Sequence, residues 1–480
     1  MLRLISFLSC SLLILSACST NPATGRNQFT GLLPAQSEAN IGAQEHQKIM
    51  KEFGLYKNQT LQNYVTSIGQ KIVPHTEREG VTYRFYLLDS DTVNAFALPG
   101  GYVYVTRGLM ALANSEAELA GVIAHEIAHV TARHSAERYS RGVVTALGTT
   151  VLGAVLENPD AARAINTGAD LYIRSYSRGQ ESEADTLGIR YLYRAGYDPF
   201  AMASFMRSMQ MESQVQSQIT GQKRPPAFLS THPDTGDRFA STSQIAGSYA
   251  ANPNPIVNRN KYLQMIDGMT FGDSAKEGFT QGQTFFHPKI GFKYTSPRGF
   301  EIQNKPDAVI SKGPNGSVLI FDFASNKDAF DPQSYLQGAW MKKEPVGAVE
   351  RITINGMRAA TAAYQGTVNG QRMTIRLVAI EWKPGVFARF QMAIPFNASQ
   401  KLVEDLRNTT YSFAKMTEKE KKSVKLERVE VLTARNGDTV YGFAKRQPFE
   451  KWNEARFRAL NGLGPKDGLI SGQKYKIVVR

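Results

Sequence analysis

Gly121-Val-Ile-Ala-His-Glu-Ile-Ala-His-Val130 is the stretch from which the rest of the chain is read. His125 and His129 stand four apart, downstream of the helix formers Ser115-Glu-Ala-Glu-Leu-Ala-Gly-Val-Ile-Ala124. On an α-helix, residues i and i+4 lie on one face. Two imidazoles so placed can reach one metal ion at the Zn–N distance of roughly 2.0–2.1 Å. Glu126 can aim its carboxylate at a water on that metal and act as a general base. With 7 histidines in 480 residues, a chance match on a buried helix is rare. The chemistry still needs a third protein ligand and one open coordination position.

That ligand is expected at Glu181-Ser-Glu-Ala-Asp-Thr-Leu-Gly188, a helix-forming run in which Glu181 and Asp185 again stand four apart. Glu181 completes a His₂Glu set, giving one Zn²⁺ per chain. Asp185 can accept the second N–H of a ligand imidazole and fix its tautomer. Glu183 points to another face and is the weaker candidate. His134 follows His129 by five residues, not the six of the longer three-histidine pattern, and is assigned a supporting role. His232, in Leu229-Ser-Thr-His-Pro-Asp-Thr235, is a candidate for the vicinity of the metal. Upstream, Tyr83–Leu88, Val93–Leu98 and Tyr102–Thr106 read as strands, the last two as a hairpin about Pro99-Gly-Gly101. A strand edge at Asn94, Ala95 and Phe96 could pair with an extended peptide.

These pieces together resemble a family: the zinc metallopeptidases that include HtpX, the CAAX prenyl endopeptidase and Oma-type proteases, and most nearly their periplasmic BepA-like group. The resemblance rests on Asn94-Ala-Phe96 with Gly100-Gly101, His125-Glu-Ile-Ala-His129 with Arg133-His134, Ser177-Arg178, Glu181-Ser-Glu-Ala-Asp185 and Ser230-Thr-His-Pro233. It spans roughly residues 37 to 245. It implies a mainly helical gluzincin-like domain with a small sheet, His125, His129 and Glu181 on zinc, and Glu126 activating the water. Asp185, His134 and Arg178 would support the ligands. His232 would be a regulatory ligand that binds zinc at rest and moves aside for substrate. The helical repeats of the BepA-like group have no counterpart after about residue 250.

The N-terminus supplies an address. Arg3, the apolar run Leu4–Leu15 and small residues before Cys18 read as a lipoprotein signal peptide over 1–17. Leu15-Ser-Ala-Cys18 resembles a lipobox, so Cys18 would carry the lipid, and two or more acyl chains give stable anchoring. Ser19 rather than Asp after that Cys implies the inner leaflet of the outer membrane in a bacterial periplasm. Both cysteines, Cys10 and Cys18, fall in the first 18 residues. The mature chain therefore relies on packing and metal rather than disulfides.

The expected organisation is an α+β multidomain chain: a tether at 18–36, the metallopeptidase domain at 37–257, and a connector at 258–283. Then follow an antiparallel α+β domain at 284–414, a charged linker at 415–425 and a small βααβ module at 426–480. The last resembles LysM through Asn436-Gly-Asp-Thr439, Phe457-Arg-Ala-Leu-Asn-Gly462 and Leu469-Ile-Ser-Gly-Gln-Lys-Tyr-Lys-Ile477. The formal charge is +14, and the segment from Lys415 onward holds 16 Lys and Arg against 8 Asp and Glu. A basic tail on a secreted protein suits anionic lipid or cell wall rather than nucleic acid. The function expected is endopeptidase action on misfolded or misassembled envelope proteins, with peptidoglycan as a further partner. The alternatives are a wall-anchored scaffold with little proteolysis and a hydrolase of peptidoglycan peptides.

Overall fold

The computed structural model describes residues 18–143, 176–220, 227–232, 238–305, 307–329, 331–341, 348–368, 370–449 and 451–480. Residues 1–17 and most of the apolar 142–156 segment lie outside them. Among the described residues no helix is long and apolar enough to cross a membrane. The chain forms two compact units, one of residues 1–272 with 427–480 and one of residues 273–426.

The first unit opens with a hairpin, β1 (Cys18–Thr20) against β2 (Asn27–Phe29), where a tether was expected. Arg133 explains the order: its guanidinium donates to Thr30 Oγ1 at 3.2 Å and to the Leu33 carbonyl at 2.8 Å. Arg190 adds a bond to the Ala23 carbonyl at 3.2 Å. Helix α1 (Ala35–Glu52) follows, then α2 (Gln59–Ile72). Leu61, Val65, Ile68 and Ile72 form the buried stripe of α2. Each such side chain contributes about 1.5–3 kcal/mol on burial. Asn58 caps α2 by accepting from Leu61 N.

Strands β3 (Arg84–Leu88), β4 (Ala95–Leu98) and β5 (Tyr102–Thr106) form a sheet in the order β3-β5-β4. The β4–β5 hairpin is antiparallel and β3 runs parallel to β5. Strand β4, the expected peptide-binding strand, is thus at the sheet's edge. After α3 (Arg107–Leu112), Ser115 caps α4 (Glu116–Thr131) by accepting from Glu118 N. Every residue of α4 is buried, its Glu116, Glu118, His125, Glu126 and His129 along with its apolar residues. The helix stops at Thr131: Arg133 adopts φ 57°, and residues 134–143 resume as a separate helix. The break lets His134 turn back toward His129; on a continuous helix, five residues would put it on another face.

Ser177 and Gln180 form a capping box that starts α5 (Arg178–Arg194). It packs closely on α4. Then come α6 (Ala201–Thr220), α7 (Ala227–Thr231), α8 (Arg238–Gly247) and α9 (Arg259–Ile266). Helix α9 falls where a connector was expected; its Tyr262, Leu263 and Ile266 belong to the core around α4.

The second unit is antiparallel throughout its strand pairs. Among its elements are β6 (Phe279–Gln281), β7 (Thr284–His287) and β8 (Phe292–Thr295) of a four-stranded sheet. A seven-stranded sheet is centred on the long strands Met357–Val368, Gln371–Lys383 and Val386–Pro395. Helix Gln400–Tyr411 follows.

The chain returns to the first unit at residue 427 as strand Arg428–Thr433, helices Val440–Ala444 and Asn453–Asn461, and strand Lys474–Val479. The two strands pair antiparallel. Tyr475 and Ile477 join the segment's own core, while Val429 joins the core of α4. Both faces of the last strand are buried, so this segment is built into the first unit.

Candidate metal centre

Helix α4 presents His125 and His129 on one face, α5 brings Glu181, and the end of α7 brings His232. The four offer ligand atoms within 4.8 Å of one another, all buried. Nε2 of His125 lies 3.0 Å from Nε2 of His129 and 3.3 Å from Nδ1 of His232. The Glu181 carboxylate lies 3.5 Å from Nε2 of each α4 histidine and 3.0 Å from Nδ1 of His232. A tetrahedron with arms of about 2.0–2.1 Å has edges of about 3.3–3.4 Å. These five separations bracket that edge, Glu181 meeting His125 through Oε2 and His129 and His232 through Oε1, and imidazole with carboxylate is a zinc donor set. The residues present therefore fit one tetrahedral cation.

The electrostatics agree. Burial opposes charge on His125, but Asp185 and Glu181 outweigh it and raise its pKa to about 9. Burial, with His125, His134 and His232 around it, pushes His129 well below the ordinary value. Burial would raise the Glu181 carboxyl, yet His232 and His125 hold it well below the usual carboxylate range.

Glu126 follows His125 and is fully buried, with neither carboxylate oxygen hydrogen-bonded. Its Oε1 lies 3.4 Å from Nε2 of His232. Burial raises its pKa. A buried carboxylate without hydrogen bonds costs several kcal/mol, which points to function rather than stability.

Around the cluster, Nδ1 of His125 lies 2.9 Å from Asp185. Asp185 is gripped by the Arg238 fork, Nε to Oδ2 at 3.0 Å and Nη2 to Oδ1 at 2.5 Å. Arg238 also reaches Glu181 at 3.3 Å and the His232 carbonyl at 3.3 Å. Nδ1 of His129 meets Nδ1 of His134 at 2.8 Å, and Nε2 of His134 meets Glu183 at 3.0 Å. Burial pushes the Glu183 carboxyl up, but His134, Thr24 and Arg26 hold it at about 2. Tyr176 stacks on His129 at 3.8 Å and Phe228 on His232 at 4.4 Å. Arg178, expected beside the ligands, is instead exposed in the first turn of α5. The arginine that reaches them is Arg238, which sequence reading missed. Asn94 lies near the cluster's rim: Oδ1 accepts from Thr231 Oγ1 at 3.5 Å, and the Val93 carbonyl accepts from Phe228 N at 3.1 Å.

Residues 59–246 match Peptidase family M48, a span that contains all four ligand candidates. Over that span the chain is similar to the M48 peptidases. The chain is 32% identical to the beta-barrel assembly-enhancing protease of Yersinia pestis over 279 residues, 52% of this chain and 55% of that protein. It is 36% identical over 203 residues to the protein of the same name in Escherichia coli strain K12, covering 40% of each. It is 29% identical to the mitochondrial metalloendopeptidase OMA1 of Schizosaccharomyces pombe, covering 45% of this chain and 63% of that one. The chain thus spans about half the length of the first of these relatives. The second unit and the C-terminal segment lie outside the family match.

Proposed function

We propose that the protein is a zinc-dependent endopeptidase of the bacterial cell envelope, with Glu126 as its general base. The observation that carries the reading is the buried Glu126 carboxylate, neither oxygen hydrogen-bonded, beside a buried cluster of three histidines and a glutamate whose ligand atoms lie within 4.8 Å of one another. Zinc, when bound, supplies Lewis-acid polarisation of a peptide carbonyl and makes water acidic enough to react near neutral pH. His125, His129 and Glu181 would hold it. Glu126 takes a proton from the attacking water and returns it to the leaving amine. Its raised pKa suits both tasks. Asp185 orients His125 and is itself fixed by Arg238.

His232 stands where substrate carbonyl or water must come, so this geometry is read as the resting state of a switch. The bond from Phe228 N to the Val93 carbonyl ties α7 to the start of β4. Withdrawal of α7 would open the coordination position and the upstream edge of β4, including Asn94, Ala95 and Phe96, to an extended peptide. Backbone pairing accepts many sequences, as suits misfolded or misassembled envelope proteins. The bacterial relatives' name, beta-barrel assembly-enhancing protease, points to outer-membrane protein assembly as the setting. Lipid on Cys18 would anchor the chain to the outer membrane, and the LysM-like strand–helix–helix–strand segment would add contact with peptidoglycan.

The test incubates full-length protein, wild type and Glu126→Gln, with unfolded casein and with muropeptides, reading products by mass spectrometry and zinc on the same samples. Wild type should cut casein, and the variant should lose about 10²–10⁴-fold in rate while keeping its zinc. Zinc-loaded wild type that cuts neither substrate would refute the proposal; cleavage of muropeptides alone would move the substrate to the cell wall.

A further inference from the structure

We infer that Glu183 is a positioning residue for His129, acting through His134, and that Asn21, Thr24 and Arg26 of the N-terminal hairpin hold Glu183 in place. The inference rests on the metallopeptidase reading above. A neutral imidazole carries one N–H. If Nε2 of His129 gives its lone pair to a metal, its proton is on Nδ1, which lies 2.8 Å from Nδ1 of His134. His134 must then accept at Nδ1, so its own proton sits on Nε2, 3.0 Å from Oε2 of Glu183. Every bond direction is determined: His129 donates to His134, and His134 donates to a carboxylate. This is a carboxylate–histidine–metal arrangement lengthened by one imidazole. Such outer partners fix the ring and raise ligand basicity.

Glu183 cannot do this on its own. It stands on α5 two residues past Glu181, and its side chain is 13% exposed. Three hairpin groups fix it. Asn21 Nδ2 and Thr24 Oγ1 donate to Oε1 at 2.9 and 2.7 Å, and Arg26 Nη2 donates to Oε2 at 3.0 Å. Arg26 is anchored in turn by Glu137 at 3.0 Å. The hairpin immediately after Cys18 is therefore joined to a metal ligand through Glu183 and His134. His125 has no such dependence, since Asp185 contacts it directly and is held by Arg238. Loosening the hairpin should weaken metal binding at His129 and leave the support of His125 intact.

The experiment uses full-length protein carrying Glu183→Gln, Arg26→Ala or Arg26→Lys. Three quantities are read: zinc affinity by competition with a chromophoric chelator, the visible spectrum of the cobalt-substituted protein, and the unfolding midpoint without metal. Glu183→Gln should lose about 10–100-fold in zinc affinity and shift the cobalt bands, with the metal-free midpoint little changed. Arg26→Ala should show a smaller loss in the same direction, largely restored in Arg26→Lys. Arg26 is at the surface, so its variants remain informative if Glu183→Gln fails to fold. Unchanged affinity and spectrum in both Glu183→Gln and Arg26→Ala would overturn the inference, and a loss confined to Glu183→Gln would overturn the hairpin's part in it. A wild type that binds no zinc would instead defeat the metallopeptidase reading itself.

Discussion

Lys476→Met should destabilise the first unit by roughly 2–3 kcal/mol. The ammonium of Lys476 is wholly buried and spends its three protons on the carbonyls of Ala111, Leu112 and Ala113, at 2.7, 3.0 and 2.6 Å. These lie at the C-terminal end of α3, where carbonyls lack helical partners and a cation is favoured. In the variant, Leu112 O keeps its bond from Asn114 Nδ2. Ala111 O and Ala113 O lose theirs, at about 1–3 kcal/mol each. Against that, Met refills the apolar path of the stem and avoids burying a charge, which offsets part of the loss and sets the figure in the lower half of the range. Burial pushes the Lys476 pKa well below its ordinary value, with Glu118 opposing, which marks how costly the charge is to hold there. The assay is urea unfolding of the full chain, combined with amide exchange over residues 107–118 and 474–479. Faster exchange in both segments and a lower midpoint are expected. An unchanged midpoint with wild-type protection at residues 107–113 would refute the view that this ammonium caps α3 and fastens the last strand to the unit.

Two further outcomes follow from packing and titration. A Cβ on Gly188 would lie 3.1 Å from His125 N, 3.2 Å from its Cα and 3.3 Å from Ala124 C. Gly188→Ala should therefore push α5 off α4 by a few tenths of an ångström and lower zinc affinity in a chelator titration. Overpacking of about 1–3 kcal/mol is set against about 1 kcal/mol of gained helix propensity, so stability should change less than affinity; equal affinity would refute it. In the second unit, burial lowers His287 to about 4, against an ordinary value of 6.5. Between those values the unfolded chain binds more protons, so stability is full above about 6.5 and is lost as pH falls toward 4. Exchange protection of β7 and β8 should drop from pH 7 to pH 4.5 in wild type, and much less in His287→Gln.

The centre was legible because its ligands come at helical spacing: His125 with His129, and Glu181 with Asp185, each obey the i, i+4 rule on their own helices. His232 could be named only as a candidate, since its place depends on how a loop returns. What escaped was chemistry that needs a backbone irregularity or a distant segment. A regular helix would carry His134 away from His129; the left-handed Arg133 reverses that, and neither composition nor periodicity announces it. Glu183 was set aside because it lies off the ligand face of α5, and that is why it can meet His134 and the hairpin. Arg238 lies six residues past His232 in a stretch without periodicity. Residues 18–30 are polar and turn-rich, which reads as a tether until the arginines that pin them are in place. The last strand was read only through its resemblance to LysM, which does not say that its second face, with Lys476 and Val478, is buried as well.

The two α4 imidazoles, His125 and His129, are thus supported by different carboxylates of α5, Asp185 directly and Glu183 through His134, and the difference bears on how His232 could leave. Arg238 contacts Asp185, Glu181 and the His232 carbonyl, and the last of these contacts links it to His232. Its paired bonds to Asp185, 3.0 and 2.5 Å, are charge-assisted and fork-like, the strong class. Its bond to the His232 carbonyl is single, 3.3 Å long and made to a neutral acceptor. The weaker bond yields first. His232 can then withdraw with α7 while Arg238 stays on Asp185, so His125 keeps its orientation through the opening. On the other side, His129 keeps its own support through His134 and Glu183. An opening that frees one coordination position while leaving both imidazoles aligned is what a switch needs, since misaligned ligands would release the metal along with the block.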